Sequence, residues 1–472
     1  MFIAREKEIK QIYELASSKK FEFLVMYGRR RVGKTELLKE LARNKRTIFF
    51  SAQEKNNLLN LKEFSQLIQT YFEGKNIAEY NSWENIFEYL ADKASKSKQK
   101  TILIIDEFPY IVNEYPTIKS ILQHYIDHIF SKLNLLIILC GSSISSMEDG
   151  ILAKKSPLYG RATSIMEVKP LNCFDSFKFM GGYNIVDKMI AYSILGGIPY
   201  YLKEFDYSKS IISNLEKKVL QENSILRYEP QILLKMELRE PALYNSILEA
   251  IGSNRNRLNE IAEMVHEESY KCSKYINTLI KLRIVNKCQP CGEKDNSKKS
   301  MYEISDSYFY FWYRYIFKNR SYYELLGENN AAKEIYIDIS NYMGKMFEKI
   351  SLEYMIELAK QNKLPFIPAY YGKWWGTNKT TKKKDDVDIL MLDKNKKKGI
   401  FCECKFKNEK LDLSDYKDLK TASDNFSYIN EKYYYLISKG GFTKDVLEIK
   451  NDNLRLIALD DIKEFCLIEM EM

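Results

Sequence analysis

The stretch Gly28-Arg29-Arg30-Arg31-Val32-Gly33-Lys34-Thr35 decides the fold of the first part of this chain. It fits the pattern G-x-x-x-x-G-K-[ST], with an apolar run before it (residues 21–27) and a helical pattern after it (residues 34–43). In this context the glycines let backbone amides wrap a phosphate chain, and the following helix N-terminus adds positive potential. A nucleotide-binding loop is therefore predicted. A chance glycine turn is the disfavoured alternative, because strand, loop and helix occur in the required order.

We expect this loop to bind ATP together with Mg²⁺. Lys34 is predicted to reach the β and γ phosphates as a catalytic charge, and Thr35 to ligate Mg²⁺. The side chains of the three arginines are assigned no chemistry beyond their place in the loop. The predicted nucleotide-binding residues of the loop are Gly28, Arg29, Arg30, Arg31, Val32, Gly33, Lys34, Thr35 and Glu36.

A second motif, Ile102-Leu103-Ile104-Ile105-Asp106-Glu107, is an apolar strand that ends in two carboxylates. Asp106 is predicted to hold Mg²⁺ directly or through water, and Glu107 to polarise the attacking water as a general base. The alternative is an ordinary acidic pair at a strand end. One extra strand, residues 47–51, lies between the two motifs in the sequence.

Two further polar residues are candidates for the same site. Ser142 follows an apolar run, residues 135–140, and is predicted to sense the γ-phosphate or to orient water. The alternative is an N-cap, for which serine is favoured. Arg161 is predicted to stabilise charge at the nucleotide, and an ordinary surface ion pair is the alternative.

The alternation of short apolar runs with helical patterns sets the fold class of the first 170 residues. Runs of this kind fit strands buried on both faces, and β–α alternation favours a parallel sheet with helices on both sides. The strand-like runs are residues 21–27, 47–51, 101–105 and 135–140, and examples of helical patterns are residues 34–43 and 120–130.

Length and composition indicate a multidomain globular chain. The 472 residues are 45% hydrophobic and 29% charged, which excludes a disordered protein and predicts two to four domains. The net charge of +9 permits a DNA or RNA partner without arguing for one. Charges at the N-terminus and the short apolar runs predict no signal peptide, no membrane partner and a cytoplasmic location. The eight cysteines have no framework spacing, which suits reduced thiols.

Residues 241–305 have the pattern of a winged helix, with three helices and then two strands, residues 283–289 and 301–304. Lysines on the third helix and in the wing could meet DNA phosphates, whereas nearby acidic residues favour a packing unit instead. Cys288 and Cys291 have the spacing of half a zinc site, but unligated thiols are the favoured interpretation. The lysines in question are Lys271, Lys274, Lys281, Lys294, Lys298 and Lys299.

A second candidate site lies near the C-terminus. Glu403 and Lys405 share a strand face at positions i and i+2, and Asp388 is on the strand predicted to pair with it. On the helix 342–360, Glu348 falls at the flank of the apolar arc. The charged residues on the opposite side are Lys345, Lys349, Glu353 and Lys360. We expect Glu348, Asp388, Glu403 and Lys405 to be catalytic, with Asp388 and Glu403 binding a metal ion that activates water against a phosphodiester.

Two alternatives to a catalytic role are left open for these residues. They form an ion-paired cluster that catalyses no reaction, or they are polar side chains on the surface with no common function. Two lysine-rich loops, residues 379–384 and 394–398, lie near the predicted site. They could attract a polyanionic substrate, or they are simply solvated.

The motifs resemble those of known families. Phe2-Ile3-Ala4-Arg5-Glu6-Lys7-Glu8 and Leu195-Gly196-Gly197-Ile198-Pro199-Tyr200-Tyr201 are similar to the entry and helical-domain motifs of prokaryotic and archaeal AAA-related, signalling-class P-loop ATPases, with Ala4 in place of the usual glycine. This resemblance covers residues 1–320 and implies a winged helix after the ATPase. It also implies that residues near Arg5 and Pro199 border the adenine, although a plain helix-breaking role is an alternative for Pro199.

The C-terminal acidic residues resemble the E…D…E-x-K signature of restriction-endonuclease-like, PD-(D/E)XK, nucleases. Lys373-Trp374-Trp375 and Ser438-Lys439-Gly440-Gly441-Phe442-Thr443 resemble more closely a domain of unknown function that is fused to archaeal-type ATPases. The overall expectation is an α/β multidomain chain. Its predicted parts are a P-loop parallel α/β core (1–170), a helical lid (171–240), a winged helix (241–320) and a C-terminal α/β nuclease-like domain (321–472).

Overall fold

A computed structural model describes residues 2–75, 78–238, 240–293, 299–378 and 382–471. The chain divides into two compact units, residues 1–171 with 198–200 and residues 172–197 with 201–472. The finer division into four domains, with boundaries at 170, 240 and 320, stays a prediction. Lys294, Lys298 and residues 379–381, for which nucleic-acid contacts were considered, lie outside the described residues. Among the described residues, no helix is both long and apolar enough to cross a membrane.

The first unit is built on a five-stranded parallel sheet in the order β2-β3-β4-β1-β5. Its strands are β1 (Glu22–Tyr27), β2 (Ile48–Ser51), β3 (Thr101–Asp106), β4 (Leu135–Gly141) and β5 (Ser164–Glu167). Its helices are α1 (Glu6–Ser17), α2 (Lys34–Asn44), α3 (Asn57–Glu73), α4 (Trp83–Lys96), α5 (Phe108–Glu114), α6 (Ile118–His128) and α7 (Ile144–Glu148), with a 3₁₀ turn over Phe130–Lys132.

The three central strands of this sheet form the core of the unit. Every residue of β1, β3 and β4 is buried, as expected for parallel strands covered by helices on both faces. In the sheet, β4 lies between β1, which precedes the phosphate-binding loop, and β3, which ends at the acidic pair. The extra strand identified between the two motifs in the sequence, β2, lies at the sheet edge instead, because it pairs only with β3 among the described strands.

The second unit begins with helices. They are α8 (Cys173–Phe177), α9 (Ile185–Leu195), α10 (Pro199–Leu202), α11 (Ile211–Asn214), α12 (Ile225–Glu237), α13 (Pro241–Gly252), α14 (Leu258–Met264), α15 (Ser269–Lys281), α16 (Ser307–Phe311), α17 (Arg320–Leu326), α18 (Glu328–Ile337) and α19 (Ile339–Lys360). Of these, α10 begins with two residues that belong to the first unit. The segments Leu215–Leu220 and Trp312–Phe317 are π-helical. An antiparallel pair, β6 (Val285–Cys288) and β7 (Met301–Ile304), follows α15, so the predicted order of three helices and two strands is present.

The rest of the second unit is a mixed sheet in the order β12-β11-β10-β9-β8. Strand β9 is antiparallel to both β8 and β10, whereas β10, β11 and β12 run parallel to one another. The elements are β8 (Tyr370–Thr377), β9 (Lys384–Leu392), β10 (Lys398–Lys405), α20 (Leu413–Ser423), β11 (Glu431–Ser438), α21 (Lys444–Leu447), β12 (Leu454–Ala458) and α22 (Leu459–Glu471).

A β-bulge interrupts the ladder between β8 and β9. Gly372 pairs with Leu390 and Trp374 pairs with Val387, so the single residue Lys373 faces two residues of β9. Val387 and Leu390, three residues apart, consequently pack in the same core cluster, which a regular strand of period two would not allow. The two residues opposite Lys373 are Asp388 and Ile389.

The polar side of helix α19 is packed against the helices before it. Glu353 accepts hydrogen bonds from the Cys173 backbone N–H at 2.7 Å and from the Tyr192 hydroxyl at 2.8 Å. Lys349 donates to the Ser307 hydroxyl at 3.1 Å, and burial lowers the pKa of this lysine. The helical wheel separated these residues correctly from the apolar arc. The face of α19 that carries Lys349 and Glu353 is not exposed to solvent, because α9 and α16 lie against it.

Candidate functional site

The phosphate-binding loop connects β1 to α2, as the motif requires. Gly33 is the N-cap of α2 and has a left-handed backbone, with φ of 95°. A Cβ on Gly28 would lie 2.3 Å from the Val168 carbonyl oxygen, so a side chain there would collide with backbone. Both glycines are therefore needed by the shape of the loop, which fits a phosphate chain held by backbone amides.

Lys34 points back into the loop. Its Nζ donates to the carbonyl oxygens of Gly28 at 2.8 Å and Arg29 at 2.9 Å, and the residue is only 5% exposed. Burial lowers the pKa of Lys34, although neighbouring Cys140, Glu107 and Asp106 act to raise it. The ammonium is thus held by neutral carbonyls at the loop that would receive a triphosphate.

Hydroxyl groups hold the two acidic residues at the end of β3, Asp106 and Glu107. The Thr35 hydroxyl donates to Asp106 Oδ2 at 2.8 Å, which brings together the two predicted Mg²⁺ ligands. Glu107 Oε2 accepts from the Ser142 hydroxyl at 2.9 Å and from the Ser142 backbone N–H at 3.2 Å. Oxygen ligands on adjacent elements fit a hard cation such as Mg²⁺. The N-cap role that was the alternative for Ser142 belongs to its neighbour, because the Ser143 hydroxyl caps α7.

Residues around the loop fix its backbone. Arg5 is buried and donates to the carbonyl oxygens of Val32 at 3.0 Å and Lys169 at 2.6 Å. Pro199 lies against Gly33, since a Cβ on that glycine would be 3.9 Å from Pro199 Cγ. The Ala4 backbone is left-handed, with φ of 64°, a conformation that glycine adopts without the steric cost of a Cβ.

Arg161 is engaged away from the acidic pair. Its guanidinium forms two hydrogen bonds of 2.8 Å with the carboxylate oxygens of Asp127 and donates to the Pro157 carbonyl at 2.7 Å. This is the surface ion pair that the sequence left open as the alternative. A charge-stabilising role for Arg161 at the nucleotide stays a prediction.

The C-terminal acidic residues converge around lysines. Lys373 Nζ lies 2.9 Å from Glu348 Oε2 of α19 and 3.3 Å from Asp388 Oδ1 of β9. Lys405 Nζ lies 2.5 Å from Glu403 Oε1, so these two side chains share a strand face as predicted. The four predicted residues therefore belong to one cluster.

Asp388 links the two halves of this cluster. Its Oδ2 accepts from the Cys404 backbone N–H at 2.9 Å, which places it beside the strand that carries Glu403. Burial and the neighbouring Asp388 raise the pKa of Glu348 to about 7 and that of Glu403 to about 7. Burial acts to lower the pKa of Lys373, but Glu348 and Asp388 outweigh it and raise that pKa.

The expected arrangement of three carboxylates around one cation is not found. Within the described ranges, no group of three or more His, Cys, Asp or Glu side chains is placed to hold a metal ion. The ammonium of Lys373 lies between Glu348 and Asp388 instead. Sequence reasoning missed this residue as a site member and used it only in a family motif. Strand β8, which carries this lysine, was not predicted from the sequence, and neither was the bulge that aims its side chain.

Two of the lysines and both cysteines of the predicted winged helix have local partners. Lys271 pairs with Glu267 at 2.7 Å and Lys299 pairs with Glu293 at 2.5 Å. Cys291 is buried and its thiol donates to the Leu390 carbonyl at 3.2 Å. Cys288 is likewise a free thiol. DNA contact by these lysines stays a prediction.

Comparison with known proteins agrees with the presence of two different parts in this chain. Residues 2–205 match the family described as "ATPase domain predominantly from Archaea", and residues 312–419 match one described as "Archaea bacterial proteins of unknown function". The uncharacterized protein MJECL04 of Methanocaldococcus jannaschii is 35% identical over 474 residues, covering 98% of this chain and 100% of that protein.

A solved structure shares the fold. The Walker-type ATPase PABY2304 of Pyrococcus abyssi superposes with a TM-score of 0.51 at 23% identity, covering 66% of this chain and 96% of that one. The ORC2 protein of Aeropyrum pernix gives a TM-score of 0.41 at 12% identity over 69% of this chain and 95% of that one.

A parallel sheet with a phosphate-binding loop after β1 and an acidic pair after β3 is the fold of a P-loop ATPase. Binding and hydrolysis of ATP belong to this first domain. The chain belongs to the family of the Methanocaldococcus jannaschii protein. In this chain, the match to the archaeal ATPase domain precedes the match to the proteins of unknown function.

Proposed function

We propose that this protein is a Mg²⁺-dependent, ATP-driven switch that regulates a C-terminal nuclease-like domain acting on DNA or RNA. In the ATPase domain, Lys34 meets the phosphates, Thr35 and Asp106 hold Mg²⁺, and Glu107 orients the attacking water. The contacts Thr35–Asp106 and Ser142–Glu107 support these roles, because they bring the groups of both motifs to one end of the sheet.

One observation carries the nuclease-like part of the proposal. One helix and two consecutive strands further along the chain supply Glu348, Asp388, Glu403 and Lys405, which gather in one half-buried cluster. Gathering like charges in a partly buried place costs free energy, so their convergence favours a functional site over chance polarity. Asp388 and Glu403 would bind a metal ion that activates water against a phosphodiester once the lysine ion pairs of the cluster open.

The test is cleavage of end-labelled single- and double-stranded DNA and RNA by the full-length chain, with Mg²⁺ or Mn²⁺ and with or without ATP. We expect metal-dependent cutting that disappears in Asp388→Ala and changes with ATP. Asp424→Ala is the matched control, because that carboxylate is on the same domain but its side chain is 74% exposed. Cleavage that survives Asp388→Ala would contradict the assignment.

A second candidate is a regulatory protein whose nuclease-like domain binds nucleic acid without cutting it. The ion pairs of Lys373 with Glu348 and of Lys405 with Glu403 favour this interpretation, because they already neutralise the carboxylates. Metal-independent binding of labelled DNA or RNA, with no cleavage under any of these conditions, is the result that it predicts.

A further inference from the structure

Lys373 contacts more of the acidic cluster than any residue predicted from the sequence motif. Besides Glu348 and Asp388, its ammonium lies 3.3 Å from Asp386 Oδ2. One positive charge thus bridges three carboxylates from helix α19 and strand β9. Because the group is partly buried, its attraction to them is screened less than on an open surface.

The backbone decides that Lys373 reaches this place. The bulge sets Lys373 opposite both Asp388 and Ile389, so the lysine and the aspartate come from facing positions of adjacent strands. Bulges commonly re-aim a side chain beside an active site. The position of Lys373 is therefore a property of the fold and not of a flexible side chain alone.

The segment after β6 holds the bulge from outside the sheet. The Cys291 backbone N–H donates to the Lys373 carbonyl at 2.9 Å, and the Cys291 thiol contacts the Leu390 carbonyl on the facing strand. Lys396 Nζ donates to the Gly292 carbonyl at 2.7 Å and ties the same segment to the β9–β10 turn. A buried residue from the middle domain thus contacts both strands where Lys373 enters the cluster.

We propose that Lys373 is a positioning residue that acts as the built-in counter-ion of the acidic cluster, so that a divalent cation binds there only by displacing its ammonium from Glu348 and Asp388. The inference rests on the proposed metal-dependent function of this cluster. Its physical reason is that two cations cannot share the same carboxylate oxygens at contact distance without strong repulsion.

The test is Mn²⁺ binding by the nucleotide-free, full-length chain, measured by titration calorimetry. Lys373→Met is expected to bind Mn²⁺ at least about 10-fold more tightly than the unmodified chain, because the competing charge is gone. Lys345→Met is the matched control: this lysine is on the same helix as Glu348 but pairs with Glu303 at 3.0 Å. The control should keep the unmodified affinity.

A second readout separates this role from simple stabilisation. In chelator, both Lys→Met variants should unfold at a lower temperature, since each leaves a carboxylate without its partner. Only Lys373→Met should regain more stability from added Mn²⁺ than the unmodified chain gains, because tighter ligand binding stabilises the folded state more. Adding Glu403→Gln to Lys373→Met should remove the gain, which assigns it to this cluster and not to the ATP site.

The outcomes distinguish the two proposals. If the unmodified chain binds Mn²⁺ at this cluster and Lys373→Met binds it no more tightly, the counter-ion role is overturned while the metal-dependent function stands. If neither protein binds Mn²⁺ at the cluster, the metal site itself fails and the inference fails with it.

A charge-preserving substitution is used if Lys373→Met fails to fold both in the presence and in the absence of Mn²⁺. Lys373→Arg then takes its place, because it keeps the positive charge beside the carboxylates. Tighter Mn²⁺ binding by Lys373→Arg than by the unmodified chain overturns the proposal, and equal or weaker binding supports it.

Discussion

The two candidate sites hold their charged groups in opposite ways. At the ATPase site, neutral atoms satisfy the charges: loop carbonyls hold Lys34, and the hydroxyls of Thr35 and Ser142 hold Asp106 and Glu107. In the C-terminal cluster, the carboxylates pair with ammonium groups, Glu348 with Lys373 and Glu403 with Lys405. A charged ligand can replace a neutral hydrogen-bond partner at little electrostatic cost. A metal ion that binds salt-bridged carboxylates must first displace the ammonium group that is paired with them. The first site is thus prepared for its ligand and the second is occupied by its own charges.

Changing Glu107 should produce the largest effect. Glu107→Gln keeps the shape of the side chain but cannot accept the proton of the attacking water, so turnover of ATP should fall by roughly 10²–10⁴-fold. Phosphate release measures this loss, and calorimetry should find ATP binding retained. Undiminished turnover would show that the Ser142–Glu107 pair has no part in hydrolysis.

Removing the Lys34 charge should mainly weaken binding. A hydrogen bond to a charged group contributes about 1.5–3 kcal/mol, so Lys34→Ala should weaken ATP binding by roughly 10–100-fold. Calorimetry with ATP and Mg²⁺ measures it. Lys39→Ala is a suitable control, because this lysine is on the same helix and pairs with Glu36 on the surface. ATP affinity unchanged in Lys34→Ala would contradict the role of the loop.

Helix α19 carries Glu348, and its other side depends on Glu353. Glu353→Ala removes the acceptor for the Tyr192 hydroxyl and the Cys173 N–H, so the free energy of unfolding should fall by about 1–3 kcal/mol. Urea denaturation measures it. The same substitution at Glu357, whose partner Lys360 is half exposed, should cost much less. Equal effects would mean that the buried side of α19 does not fix the helix.

The smallest effect is expected at Arg161. As a surface ion pair with Asp127, it should contribute less than about 1 kcal/mol to stability, and Arg161→Ala should leave ATP turnover unchanged. Thermal unfolding and phosphate release check both statements. A large loss of turnover with normal stability would restore the charge-stabilising role at a nucleotide.

Much of the ATPase core could be predicted because its signals are local. The strands β1, β3 and β4 are continuous apolar runs, and their ends carry the residues of the site within a few positions. The strands that the sequence analysis did not predict, β5, β8 and β12, have at most two buried residues each. A strand held mainly by pairing with its neighbour leaves little hydrophobic signal in its own sequence.

The sequence by itself determined the phosphate-binding loop, the acidic pair after β3, and the shared strand face of Glu403 and Lys405, because each depends only on spacing along one element or its end. Only the tertiary structure decided that β4 separates the two ATPase motifs, that Glu353 is enclosed, and that Lys373 enters the acidic cluster. Those outcomes depend on sheet order, on helix packing and on a one-residue bulge, which are set by contacts between segments far apart in the chain.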